Sequence, residues 1–225
     1  MKIKGYDFDL SMVGVNSHED DEDLATIFTA EDIEDEIDRQ EWLKSSRVII
    51  LNEDVSEKAI NNICMKIIGW NMEDCGLPAE EREPIHLFIH SNGGDIISGF
   101  AVIDVIQNSE TPVIGVGFGK VYSMAFSILV ACQVSLGFKH TIFLLHDGTF
   151  GTEDSGSKFL DFAEFAKKNL INKCKEHILN STNIKEEWYD GNIRKENWID
   201  ADEAKDMGII QFIIGEDVPM DILWS

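Results

Sequence analysis

Three short segments carry the residue types that acyl transfer needs, and each follows an apolar run of strand-like composition. After IHLFIH (85–90) comes Ser91-Asn92-Gly93-Gly94-Asp95, where two adjacent glycines let backbone N–H groups approach a ligand closely. After VIGVGF (113–118) comes Gly119-Lys120-Val121-Tyr122-Ser123-Met124-Ala125. Ser123 opens a helical stretch, where N–H groups are unpaired and the dipole is positive. A nucleophilic hydroxyl there would build its oxyanion beside the free N–H of Met124. After TIFLL (141–145) comes His146-Asp147-Gly148, and an imidazole that titrates near neutrality can serve as general base. Plainer explanations exist: a tight strand-to-helix turn for Gly93-Gly94 and a simple helix N-cap for Ser123. The surroundings of Ser123 are not GxSxG, so an α/β-hydrolase assignment does not follow. Together, a donor loop, a helix-start serine and a strand-end histidine on successive strands supply what acyl transfer requires.

The elements that must position these residues alternate along the chain. VIIL (48–51) reads as a strand, and Ala59, Ile60, Ile63, Cys64, Ile67 and Ile68 follow helical spacing behind Ser56 or Asp54 as a cap. A helix is expected from about Ser98 to Asn108, an apolar helix from Ser123, and a long amphipathic one over Ser157–Asn180. A short helix capped by Asp200 ends at Gly208, and IIQFII (209–214) reads as the last strand. Such alternation with apolar strands implies an α/β fold, a mostly parallel sheet flanked by helices. Val121–Phe138 is 18 residues without a charge, the lower edge of a membrane span. Tyr122, Ser123, Ser127, Gln133 and Ser135 interrupt it and lysines bracket it, which predicts a buried core helix.

Asp and Glu number 42 against 19 Lys and Arg, a formal net charge of -23, which argues against nucleic acid or an anionic membrane as partner. Residues 1–45 carry -10 of that, including the runs Glu19–Asp23 and Glu31–Asp38, and read as a partly ordered acidic arm ahead of a 46–225 domain. The start has no apolar h-region, so a cytoplasmic location is expected. Cys64, Cys75, Cys132 and Cys174 form no CxxC pair, which argues against zinc and a disulfide framework. His86 and His90 share a strand face without a third ligand, while His18, His140 and His177 read as surface residues; no metal or cofactor is expected.

The combination SNGGD, GFAVIDVIQ, PVIGVGFGKVYSMA and IFLLHDG resembles the Clp protease proteolytic subunit family, whose pattern is SPGG, then GxAxSM, then a strand ending in IH. The resemblance runs from about Trp42 to Ile214. It implies a ClpP/crotonase-like fold with a protruding handle helix over Ser157–Asn180, whose apolar excess (Phe159, Phe162, Phe165, Leu170, Ile171, Cys174) would interdigitate two rings. It also implies a serine endopeptidase with Ser123 as nucleophile, His146 as general base, and Gly94 and Met124 as oxyanion donors. The family's third triad member is an aspartate two residues before an aromatic; Glu196 of KENWIDADEA stands there, with Asp190 and Asp147 as fallbacks. Asn92 replaces the family's proline, Ala125 a glycine, and Tyr122 a small residue, so Tyr122 is expected to narrow the specificity pocket. The implied assembly is a homo-oligomer of stacked heptameric rings acting on polypeptide, with an AAA+ unfoldase ATPase as partner; no GxxxxGK[ST] occurs here. The acidic arm would lie near a ring's axial surface. Alternatives are a catalytically inactive ring or scaffold subunit and, on fold alone, an acyl-CoA hydratase or isomerase.

Overall fold

β4 (Ile85–Ser91) and β5 (Val113–Tyr122) pair in parallel at the centre of a seven-stranded sheet, with β3 (Val48–Leu51) beyond β4. On the other side, β6 (Val134–Phe138) pairs with β5 and β9 (Phe212–Ile214) with β6, all parallel. The computed structural model describes residues 2–3, 6–7, 30–148 and 156–223. They fall into two units, Met1–Ser46 and Arg47–Ser225. In the first, two-residue strands β1 (Lys2–Ile3) and β2 (Tyr6–Asp7) pair antiparallel, and α1 spans Ala30–Ser45. On α1, Arg39 forks onto Glu36 one turn away. The acidic run Glu19–Asp23 lies outside the described residues.

The larger unit builds its sheet from near-continuous apolar strands, as parallel pairing favours. α2 (Glu57–Glu73), α3 (Ile96–Gln107) and α4 (Met124–Leu129) pack one face through Ile63, Ile67, Leu87, Ile89, Val102, Ile106 and Phe126, all fully buried. Ser56 caps α2, and Asp95 caps α3 by accepting from the Ser98 N–H at 2.7 Å, two residues earlier than the expected start. A smaller cluster of Val116, Leu136, Ile214 and Leu223 lies apart from this core.

β5 changes partner along its length. Ile114–Gly117 pair with β6, whereas Lys120–Tyr122 pair with β7 (Ile142–Leu145), and β8 (Asn197–Ile199) adds antiparallel to β7. The pairing of β4 with β5 shifts register between Ile89 and Ser91. Gly119 takes φ +66 at the fork, with His90 Nδ1 only 2.5 Å from where a Cβ would stand, so a side chain has no room there.

One expectation about these elements needs correction. Val121–Phe138 is not one helix: β5 runs to Tyr122, α4 is six residues long, and β6 follows a turn. The polar residues of that run hold the break. Gln133 accepts from Val113 N–H (2.8 Å) and donates to Ile106 O (3.0 Å), and Ser135 Oγ donates to Leu129 O (2.8 Å). The expected helix over Ser157–Asn180 is present as an unbroken helical run, α5 (Gly156–Phe165) passing through a π-helical stretch Ala166–Ile171 into α6 (Asn172–Ser181). α7 (Glu186–Asn192) and α8 (Ala201–Asp206) complete the unit, α8 capped by Asp200. Among the described residues no helix is long and apolar enough to cross a membrane.

One ion pair is buried beneath α2. Arg47 forks onto Asp74 at 2.6 and 2.7 Å, Thr111 Oγ1 donates to the same carboxylate at 2.7 Å, and Arg47 also donates to Glu83 O at 3.0 Å. The Arg47 hydrogen bonds outweigh burial and hold Asp74 at about 2.

Candidate active site

Ser123 joins β5 to α4 with φ 53 and ψ -122, a conformation that a non-glycine residue adopts only at a cost of roughly 1–3 kcal/mol. An N-cap serine has extended backbone and spends its hydroxyl on the helix; Ser123 has neither property. Its N–H donates to Leu144 O (2.8 Å) and its C=O accepts from Phe126 N–H (3.0 Å), so β7 on one side and α4 on the other hold the turn. With Phe126, Ile128 and Leu129 fully buried, α4 cannot rotate to relieve it.

Gly93 (φ +89) and Gly94 (φ +148) pass directly beside this turn. A Cβ on Gly93 would stand 2.6 Å from Tyr122 O, 2.8 Å from Met124 N and 2.8 Å from Ser123 Cβ. Val55 pins the loop, donating its N–H to Gly93 O (2.8 Å) and accepting from Asp95 N–H (2.9 Å) on either side of Gly94. Ser91 Oγ accepts from Gly93 N–H (3.1 Å) and donates to Glu53 O (2.7 Å). The N–H groups of Gly94 and Met124 meet no acceptor among the described residues. The sequence singled out Gly94; the close approach to the serine is made by Gly93, visible only once the loop and the turn are placed together. Gly93→Ala is therefore expected to lower the melting temperature, because its Cβ meets the backbone of the serine turn; an unchanged melting temperature would show that the approach is not tight.

Gly94, Ser123, Met124 and His146 line one cleft of about 430 Å³. Its remaining wall includes Leu170 and Ile171 of the π-helical stretch, Cys174 and Ile178 of α6, and Tyr189 of α7. The handle's apolar residues Leu170, Ile171 and Cys174 thus face the cleft. Burial pushes the Cys174 thiol up to about 11 and the Tyr189 phenol to about 12, so both are neutral at neutral pH.

His146 follows β7 directly and is half-buried. No hydrogen bond joins it to Ser123 or to Glu196 among the described residues. Glu196 is exposed, does not line the cleft, and sits one residue before Asn197, the β8 partner of Leu145. Of the fallback acids, Asp147 lines the cleft, whereas Asp190 is bound by Lys175 at 2.7 Å. Tyr122 does not narrow the cleft: its ring packs edge-on against Trp198, centroids 5.3 Å apart, and is absent from the lining. His177 is no surface residue either. Its Nε2 donates to Ser127 O (2.8 Å), tying α6 to α4, and burial lowers its pKa. Among the described residues, no group of three His, Cys, Asp or Glu could hold a metal ion.

Comparison with known proteins places this geometry. The chain is 26% identical over 179 residues to ATP-dependent Clp protease proteolytic subunit 2 of Treponema denticola, covering 77% of this chain and 84% of the relative. It is 28% identical over 176 residues to ATP-dependent Clp protease proteolytic subunit 1 of Frankia casuarinae, covering 76% and 78%. A ClpP1 mutant from Listeria monocytogenes shares the fold with a TM-score of 0.67 at 20% identity, over 82% of this chain and 99% of that one. The Clp protease family profile matches residues 29–217, beginning just ahead of α1 and ending past β9. That match spans the glycine loop, the strained serine and the cleft together, and the chain belongs to the Clp protease family.

Proposed function

We propose that the protein is a serine endopeptidase that cleaves unfolded polypeptide inside an oligomeric ring. Ser123 attacks the peptide carbonyl, His146 takes its proton and returns it to the leaving amine, and Gly94 and Met124 N–H groups stabilise the tetrahedral oxyanion. The observation that carries this reading is the strained backbone of Ser123, whose hydroxyl is left unused beside two unpaired N–H groups. The relatives are named proteolytic subunits of an ATP-dependent protease, which supports work beside an ATPase; we extend this to stacked heptameric rings, an AAA+ unfoldase that feeds substrate, and a cytoplasmic setting.

The test is labelling of the purified full chain with a fluorophosphonate, followed by peptide mapping. A single adduct on Ser123 is expected. A well-folded protein that takes no label overturns the peptidase in favour of an inactive ring subunit, the second reading, which the missing Ser123–His146 hydrogen bond favours.

Glu196, one residue ahead of β8, is the carboxylate proposed to orient the imidazole as third triad member. Because it is exposed and solvent competes for its carboxylate, Glu196→Ala is expected to lower kcat by about tenfold, well short of a buried triad acid. Unchanged kcat would remove Glu196 and leave Asp147, which lines the cleft, as the candidate acid.

A further inference from the structure

Both peptide groups that flank His146 are tied to one turn. On the near side, the Asn197 side-chain Nδ2 donates to Leu145 O at 2.8 Å; on the far side, Asp147 N–H donates to Ile193 O at 2.9 Å. The same Nδ2 also donates to Asn192 O (3.1 Å) and Lys195 O (3.0 Å), the carbonyls that open and close the turn carrying Glu196. An amide nitrogen has two hydrogens, so three acceptors at these distances require one to be shared. Such a group fixes three strands of chain relative to one another rather than capping one of them. Antiparallel pairing sets Leu145 opposite Asn197 and Leu144 opposite Trp198; one step further along that register, His146 comes level with Glu196.

We infer that Asn197 is a positioning residue that sets where His146 stands relative to Glu196 and to Ser123. This rests on the proposal that His146 is the general base. The turn has supports of its own, since Lys195 N–H donates to Asn192 O (2.8 Å) and Ile199 anchors β8 in the core. Loss of the side-chain amide therefore loosens the approach of His146 without unfolding the strand. An error of about 1 Å in a catalytic group costs ~100-fold in rate.

The experiment compares wild type, Asn197→Ala, Asn197→Asp and Asn197→Gln as full chains. Asn197→Asp keeps the shape and removes the donors; Asn197→Gln keeps the donors on a longer stem. Hydrogen exchange of the peptide containing residues 143–148 is measured beside steady-state peptide hydrolysis. The Ala and Asp variants are expected to exchange faster at that peptide and to lose kcat by ~100-fold with KM within about twofold and an unchanged melting temperature. The Gln variant is expected to recover kcat above the Ala variant. Exchange at the wild-type rate in both Ala and Asp variants overturns the assignment, as does a loss that appears only in KM. If exchange quickens while the wild type proves inactive, the clamp on His146 stands and the peptidase reading falls.

Discussion

On the proposed mechanism, Ser123→Ala is expected to lose peptide hydrolysis by on the order of 10⁵-fold or more, because base and donors would then act on no nucleophile. Ser123→Gly should lose as much and yet be the more stable protein. At φ 53 and ψ -122 the Cβ of a serine or alanine is strained, and glycine removes that strain while adding some disorder to the unfolded chain. The net expectation is a gain of about 1 kcal/mol, a rise of a few degrees in melting temperature for a domain of this size. Alanine and glycine variants are thus equally inactive and differ in stability, and calorimetry with a hydrolysis assay separates the two effects. A glycine variant that melts below the alanine variant would mean the turn holds no strain.

The largest stability effect is expected at Asp74. The carboxylate is 2% exposed, held by both arms of Arg47 and by Thr111, and links the end of α2 to the starts of β3 and β5. Asp74→Ala removes the buried carboxylate that both arms of Arg47 hold and leaves the guanidinium, 12% exposed, with Glu83 as its remaining partner among the described residues; this should cost roughly 3 kcal/mol by chemical denaturation. The pH dependence has a definite sign. Arg47 lowers the folded-state pKa of Asp74 from 3.8 to about 2, so the unfolded chain binds this proton more readily. The stabilisation is complete above the unfolded value and is lost as pH falls from about 4 towards 2. The wild type should therefore lose its margin over Asp74→Ala across that window, and a constant difference between the two would exclude the ion pair as its source.

The strands bearing the glycine loop, the serine and the histidine were legible because each is a short apolar run ending in residues of a different kind. Ile85–Ile89 and Ile142–Leu145 have no other use for such composition than a sheet buried on both faces. The run after Ser123 was misjudged for the same property. Eighteen uncharged residues satisfy a buried helix and a buried strand alike, and what divides them is Gln133 and Ser135 meeting distant carbonyls and N–H groups. β8 was missed because three residues, one of them the exposed Trp198, hold no period at all. Ser123 could be read as a cap or as a nucleophile from its place in the sequence; its backbone angles and unused hydroxyl favour the second. Glu196 was nominated only through the resemblance, since its place one residue ahead of β8 depends on a pairing across the whole handle.

The fork in β5 also orders events in time. Its first half completes the sheet with β4 and then β6, all of them drawn from neighbouring stretches of chain. Its second half, which leads into Ser123, waits for β7, and the clamp on β7 waits for β8, which lies beyond α5, α6 and α7. A nascent chain leaving the ribosome therefore exposes the serine long before it contains Asn197. Loop closure across the handle must be accomplished before the histidine is anchored.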